Sequence, residues 1–181
     1  MRARPLTDQA KEALFNILRE KVQDRVFLDL FAGSGAVGIE ALSRGARKAV
    51  FVELNRKAVA VIHQNLAETG LAGGADVYAK DVLRALKLLA RNGEKFDVVF
   101  LGAPYDSPAL EKALEIIGAA DMLREGGILV AEHRRQHRLQ EAYGGLKLFR
   151  ETRYGETVLS FYLEEKPNPS PSEMEKGIKA E

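Results

Sequence analysis

Short apolar runs alternate along the chain with stretches whose apolar residues recur every third or fourth position. Residues 7–22 predict an opening helix: Thr7 and Asp8 suit its N-cap, and Ala10, Ala13, Leu14, Ile17, Leu18 and Val22 share one face. Val26–Leu30 reads as a buried strand ending in a glycine turn, followed by a helix over Ala36–Ser43 closed by Gly45. Lys48–Glu53 is a second strand, and Arg56–Glu68 a second crossover helix stopped by Gly70. The alternation continues with strands at Ala75–Ala79, Phe96–Leu101 and Ile128–Glu132 and helices at Val82–Ala90 and Leu110–Ala119. Continuous apolar strands separated by amphipathic helices predict a parallel sheet covered on both faces.

Near the end the period shortens. Leu146–Thr152 and Thr157–Leu163 flank Arg153-Tyr154-Gly155-Glu156, which predicts a hairpin and so an antiparallel edge. The expected fold is therefore α/β and Rossmann-like, a mostly parallel seven-stranded sheet with an antiparallel C-terminal hairpin and helices on both faces. Residues 1–164 form the expected domain. From Glu165 to Glu181, prolines at 167, 169 and 171 alternate with Ser, Glu and Lys, so a disordered tail is expected.

Composition changes this picture little. The 181 residues are 46% hydrophobic and 29% charged, enough for one domain with a sizeable core. Absence of cysteine excludes disulfides, thiolate metal sites and a cysteine nucleophile. No apolar run approaches the roughly 20 residues of a membrane span, and the chain does not open on a signal-peptide pattern, so a cytoplasmic monomer is expected. The 27 basic and 26 acidic residues nearly cancel. Any nucleic-acid binding must then come from local patches, such as Arg2, Arg4, Lys11 and Arg19, or Arg134, Arg135 and Arg138, each of which also reads as a solvated face. His63, His133 and His137 show no metal-ligand spacing with carboxylates, and no metal is expected; His63 reads as surface or core filler, His133 as a residue just past strand five, and His137 as exposed.

The sharpest chemical signal is Asp29-Leu30-Phe31-Ala32-Gly33-Ser34-Gly35-Ala36-Val37-Gly38, lying between the first strand and its helix. Glycines there let backbone turn tightly and approach a ligand, and Glu53, twenty residues beyond Gly33, places a carboxylate where it can accept both ribose hydroxyls of an adenosine. A nicotinamide dinucleotide and S-adenosylmethionine both fit this fingerprint. The loop carries Asp29 and has no Lys or Arg between Val26 and Ser43, which suits a sulfonium cation better than a pyrophosphate, although helix N-termini also bind phosphate.

Phe27-Leu28-Asp29-Leu30-Phe31-Ala32-Gly33-Ser34-Gly35 resembles the first motif of class I methyltransferases. The chain more particularly resembles the RsmD family, bacterial enzymes that methylate the exocyclic N2 of a guanine in small-subunit (16S) ribosomal RNA. Arg4-Pro5-Leu6-Thr7-Asp8 with Lys11–Leu18 is similar to that family's opening helix, Phe96–Leu101 to its fourth strand, and Tyr154-Gly155-Glu156-Thr157 with Ser160-Phe161-Tyr162 to its closing hairpin. The likeness spans about residues 4–163.

The resemblance implies S-adenosyl-L-methionine as cofactor and ribosomal RNA, or a small-subunit assembly intermediate, as partner. Asp29 and the backbone from Gly33 through Ser34 to Gly35, with Phe31 in the same loop, would hold the methionyl part, and Glu53 the ribose. Asp81 would face the adenine amino group, and also reads as a helix N-cap able to serve both parts, with Val82 against the ring and Leu54 and Asn55 lining the pocket. The family's catalytic loop reads Asp-Pro-Pro-Tyr/Phe, where acceptors orient the amine and an aromatic ring stacks on the base. Here it reads Gly102-Ala103-Pro104-Tyr105. Pro104 and Tyr105 match, whereas Gly102 replaces the acid and Ala103 the first proline.

Three readings follow: the Gly102 and Ala103 carbonyls suffice, another carboxylate such as Asp106 substitutes, or the chain binds cofactor and methylates poorly. Tyr105 itself also reads as a loop aromatic packed on the domain. Members of the family usually carry a basic segment before the Arg-Pro helix, and Met1 stands almost at that helix; if the natural chain starts there, RNA affinity is expected to depend more on other surfaces. A methyltransferase for another planar amine, a nicotinamide-binding reductase and a noncatalytic RNA-binding or assembly protein are the alternatives.

Overall fold

A computed structural model describes residues 6–165. Arg2, Arg4 and the tail from 166 to 181 lie outside the described residues. The elements run α1 (Asp8–Leu18), β1 (Val26–Leu30), α2 (Ala36–Ser43), β2 (Lys48–Val52), α3 (Arg56–Thr69), β3 (Ala75–Tyr78), α4 (Val82–Arg91), β4 (Phe96–Leu101), α5 (Ala109–Ala120), β5 (Leu123–Arg134), β6 (Ala142–Tyr143), β7 (Leu146–Tyr154) and β8 (Thr157–Glu164). They form one sheet in the order β3-β2-β1-β4-β5-β8-β7-β6, with β1 to β5 parallel and the last three strands antiparallel.

The alternation of side chains along each strand splits the core into two layers. Leu28 and Leu30 of β1, with Val50, Val52, Val99 and Leu101, pack under α4 and α5; Phe27 of β1, with Phe51, Val98 and Phe100, packs under α1, α2 and α3. In α4, Val82, Ala85, Leu86 and Leu89 are buried while Arg84, Lys87 and Arg91 stay exposed. That is the helical stripe read from the sequence. Caps follow local chemistry: Thr7 Oγ1 accepts from Ala10 N (3.2 Å), Asn55 Oδ1 from Lys57 N and Ala58 N (2.9 and 3.1 Å), and Asp81 Oδ2 from Arg84 N (3.1 Å).

Four expectations are corrected. The sheet has eight strands, not seven, because Ala142–Tyr143 pairs with Leu146–Lys147 across a Gly144-Gly145 turn. A two-residue strand has no periodicity to read. β5 begins at Leu123 rather than Ile128, since Leu123 pairs with Phe96 before the register shifts and resumes at Ile128 with Val98. The polar Arg124-Glu125-Gly126-Gly127 excursion hides that start. It also ends at Arg134, which places His133 inside β5. The opening helix stops at Leu18, where Arg19 takes φ +42°, and Arg19–Lys21 continues as a 3-10 turn before the buried Val22.

Candidate functional site

The chain crosses from β1 to neighbours on either side, β2 and β4, so a crevice opens at the carboxyl ends of these strands. The loop after β1 fills its floor. Phe31, Gly33 and Gly35 all take positive φ (58°, 57° and 81°), which folds the loop tightly before α2 starts. A methyl group on Gly33 would meet nothing within 4 Å, whereas one on Gly38 would strike the Phe51 ring, so this last glycine lets α2 lie close against β2.

Glu53 follows β2 and locks this loop. Its Oε1 accepts from Gly33 N and its Oε2 from Asn55 N, both at 2.8 Å. An ionised carboxylate has about four lone-pair sites, so each oxygen retains acceptor capacity. Phe31, Gly33, Ser34, Glu53, Leu54, Asn55, Asp81, Val82 and Pro104 line one cavity of about 680 Å³. Leu54 is a large apolar side chain left 63% exposed there. The structure thus brings most of the expected cofactor residues around a single space. Asp81 caps α4 and also lines the cavity.

A smaller cavity of about 250 Å³ adjoins it through Phe31, Gly33 and Ser34, and is also walled by Asp29, Phe100, Gly102 and Glu132. Gly35, Ala103 and Tyr105 line neither space: Gly35 is buried at the start of α2, and Ala103 packs into the core beneath α4 and α5. Tyr105 is half-buried, its hydroxyl bridging Glu132 Oε1 (3.1 Å) and Thr157 Oγ1 (2.9 Å), with the Arg134 guanidinium 5.0 Å from its ring centre.

Asp106, expected as a possible replacement for the missing acid, is exposed at φ +61° and faces Arg134 at 3.9 Å. It belongs to the outside of the loop. Sequence reading missed Glu132, which is 6% exposed near the carboxyl end of β5. The available signal was an acid at that end of a strand otherwise apolar from Ile128. His133, its neighbour on the opposite face, is buried against Ser160 Oγ (2.7 Å) and the Arg134 carbonyl oxygen (3.0 Å); His137, expected exposed, is half-buried 3.7 Å from Glu111. His63 is exposed on α3. Among the described residues no group of three or more histidines and acids is arranged to hold a metal, and no helix is long and apolar enough to cross a membrane.

Burial raises two acids here. Desolvation lifts Glu132 to about 7 against the lowering effect of the Tyr105 hydrogen bond. Asp29 is lifted from 3.8 to about 8, chiefly by desolvation; the Gly38 N–H (3.0 Å) opposes the rise and the Glu53 and Glu132 charges add to it. Between those limits the folded chain keeps a proton that the unfolded chain has released. The stability linked to Asp29 is therefore complete below about pH 4 and is lost as pH climbs through 8. Asp29→Asn keeps an acceptor for Gly38 and does not titrate. Its thermal midpoint, relative to wild type, is expected to rise steadily from about pH 5 to 8 in melting curves; a constant difference refutes the assignment.

Comparison with known proteins gives the family. Residues 1–163 match the family described as Conserved hypothetical protein 95. YlbH of Bacillus subtilis (strain 168) is 41% identical over 159 residues, covering 88% of this chain and 86% of its own. The ribosomal RNA small subunit methyltransferase D of Escherichia coli (strain K12) is 33% identical over 162 residues, covering 90% and 80%. The solved structure of yhhF from Escherichia coli superimposes with a TM-score of 0.80 at 32% identity, covering 91% of this chain and 88% of that one. The chain belongs to the Conserved hypothetical protein 95 family, the family of the RsmD methyltransferases.

Proposed function

We propose that the protein transfers the methyl group of S-adenosyl-L-methionine to the exocyclic N2 of a guanine in small-subunit ribosomal RNA. The observation that carries this reading is the cavity that Glu53, already pinned to the Gly33 and Asn55 amides, lines together with Leu54, Asp81, Val82 and Pro104. The residues fit an adenosyl sulfonium. Glu53 retains acceptors for two ribose hydroxyls, Leu54 and Val82 offer apolar surface to a planar base, and Asp81 offers an acceptor to its amino group. No cationic side chain lies between Val26 and Ser43 to repel a sulfonium, and Asp29 lies beneath the loop.

The cofactor, when bound, supplies a methyl group activated by positive sulfur. The chain's own residues supply positioning: the left-handed turns at Phe31, Gly33 and Gly35 shape the methionyl pocket, and Pro104 borders the cavity, with Tyr105 next to it in the chain as the ring that would stack on an extruded base. The relatives' names supply the substrate class, since the Escherichia coli relative is named for the small ribosomal subunit. Purified protein is expected to transfer labelled methyl from the cofactor into small-subunit RNA or partly assembled subunits, and digestion is expected to yield N2-methylguanosine. Label in another nucleoside, or in ribosomal protein alone, refutes the guanine assignment.

A further inference from the structure

The family's loop acid is Gly102 here, which leaves the amine without its side-chain acceptor. A β-carbon built on Gly102 lies 3.4 Å from Glu132 Oε2, so a carboxylate from the neighbouring strand occupies the space into which a side chain at 102 would begin to grow. β4 and β5 are paired in register at Leu101 and Ala131, one residue before each, which makes this approach a property of the sheet rather than of a loose loop. The other oxygen, Oε1, receives the Tyr105 hydroxyl, tying Glu132 to the aromatic residue of the same loop. Oε2 has no such partner among the described residues, and Glu132 walls the small cavity that adjoins the cofactor space.

The geometry points to Glu132 as the catalytic carboxylate of this chain, accepting a hydrogen bond from the target amine in place of the missing acid at 102. This rests on the methyltransferase reading above. The guanine N2 lone pair forms the new nitrogen–carbon bond as the methyl carbon–sulfur bond breaks, its electron pair remaining on sulfur. One N–H proton then leaves the nitrogen for Glu132 and passes to solvent. A carboxyl group poised near neutrality by burial is suited to accept and release that proton. Asp106 cannot take the part, because it faces outward onto Arg134.

The test measures methyl transfer to small-subunit RNA and S-adenosylhomocysteine affinity for wild type, Glu132→Gln, Tyr105→Phe and the double variant Gly102→Asp/Glu132→Gln. Glu132→Gln is expected to lower kcat by about 100- to 1000-fold, the usual loss when one preorganised group at a reacting centre is removed, with product affinity within about threefold of wild type. Gly102→Asp in that background is expected to recover at least about tenfold of the loss; the Phe100 ring edge, 3.0 Å from the new β-carbon, must yield a few tenths of an ångström. Tyr105→Phe removes a hydroxyl and keeps Glu132, so its loss should be clearly smaller. The inference is overturned if Glu132→Gln keeps kcat within about threefold, if Tyr105→Phe reproduces its full loss, or if Gly102→Asp restores nothing. Wild type that binds product and methylates no RNA overturns the substrate reading itself, which separates the two failures.

Discussion

Replacing Glu53 by alanine is expected to weaken S-adenosylmethionine binding by at least about 100-fold, measured by titration calorimetry, while leaving the protein folded. A hydrogen bond to a charged group contributes about 1.5–3 kcal/mol, and two ribose hydroxyls on one carboxylate make two such bonds. The sum of about 3–6 kcal/mol corresponds to a factor of roughly 100 or more. Alanine also releases the Gly33 and Asn55 amides, both held at 2.8 Å, so the glycine loop loses its tether as the ligand loses its partner.

The two losses can be told apart. Glu53→Gln keeps one acceptor oxygen and places an amide against the other N–H, so it should bind more weakly than wild type and more tightly than the alanine variant. A melting curve controls for the fold, since Glu53 is half-buried at a strand end and contributes little to either core layer. Alanine binding within about threefold of wild type would remove the ribose assignment.

The largest effect on stability is expected at Gly118→Ala, remote from this chemistry. Gly118 sits near the end of α5, and its carbonyl accepts from Gly145 N at 3.0 Å. A methyl group there would press into the Tyr143 carbonyl, with the carbonyl carbon 2.7 Å away, so backbone meets backbone and no side chain can rotate aside. Overpacking ordinarily costs about 1–3 kcal/mol and more where relief requires main-chain movement. A cost of about 3 kcal/mol lowers the melting temperature of a chain this size by roughly 6–12 °C. Gly73→Ala, which meets nothing within 4 Å and has no positive φ, is the control and should shift it little. Equal midpoints for the two variants would refute the close approach of α5 to the β6–β7 turn.

Much of this architecture was legible from residue order. The stripe Val82, Ala85, Leu86 and Leu89 and the continuous run Val98–Leu101 each have one favourable way to bury, so the helices and parallel strands could be read before any coordinates. The glycine loop and Glu53 were legible for a related reason. Positive φ and close backbone approach restrict residue type strongly, and the spacing between Gly33 and Glu53 reflects one β-α-β crossover. The short β6, the early start of β5 and the glycine contact at Gly118 were not, because each depends on a partner distant in the chain and leaves no periodic trace.

Glu132 marks the boundary most clearly. In the sequence it is one acid at the end of an apolar strand, about thirty residues from the loop it serves, whereas Asp106, the substitute carboxylate that the sequence suggested, is near in the chain. Local order determined which segments are helix and strand, the crossovers, and the loop that turns beneath a ligand, since these follow from backbone geometry and burial over a few residues. Only the pairing of β4 with β5 decided which carboxylate stands beside Gly102, because strands lie side by side through hydrogen bonds that ignore separation along the chain.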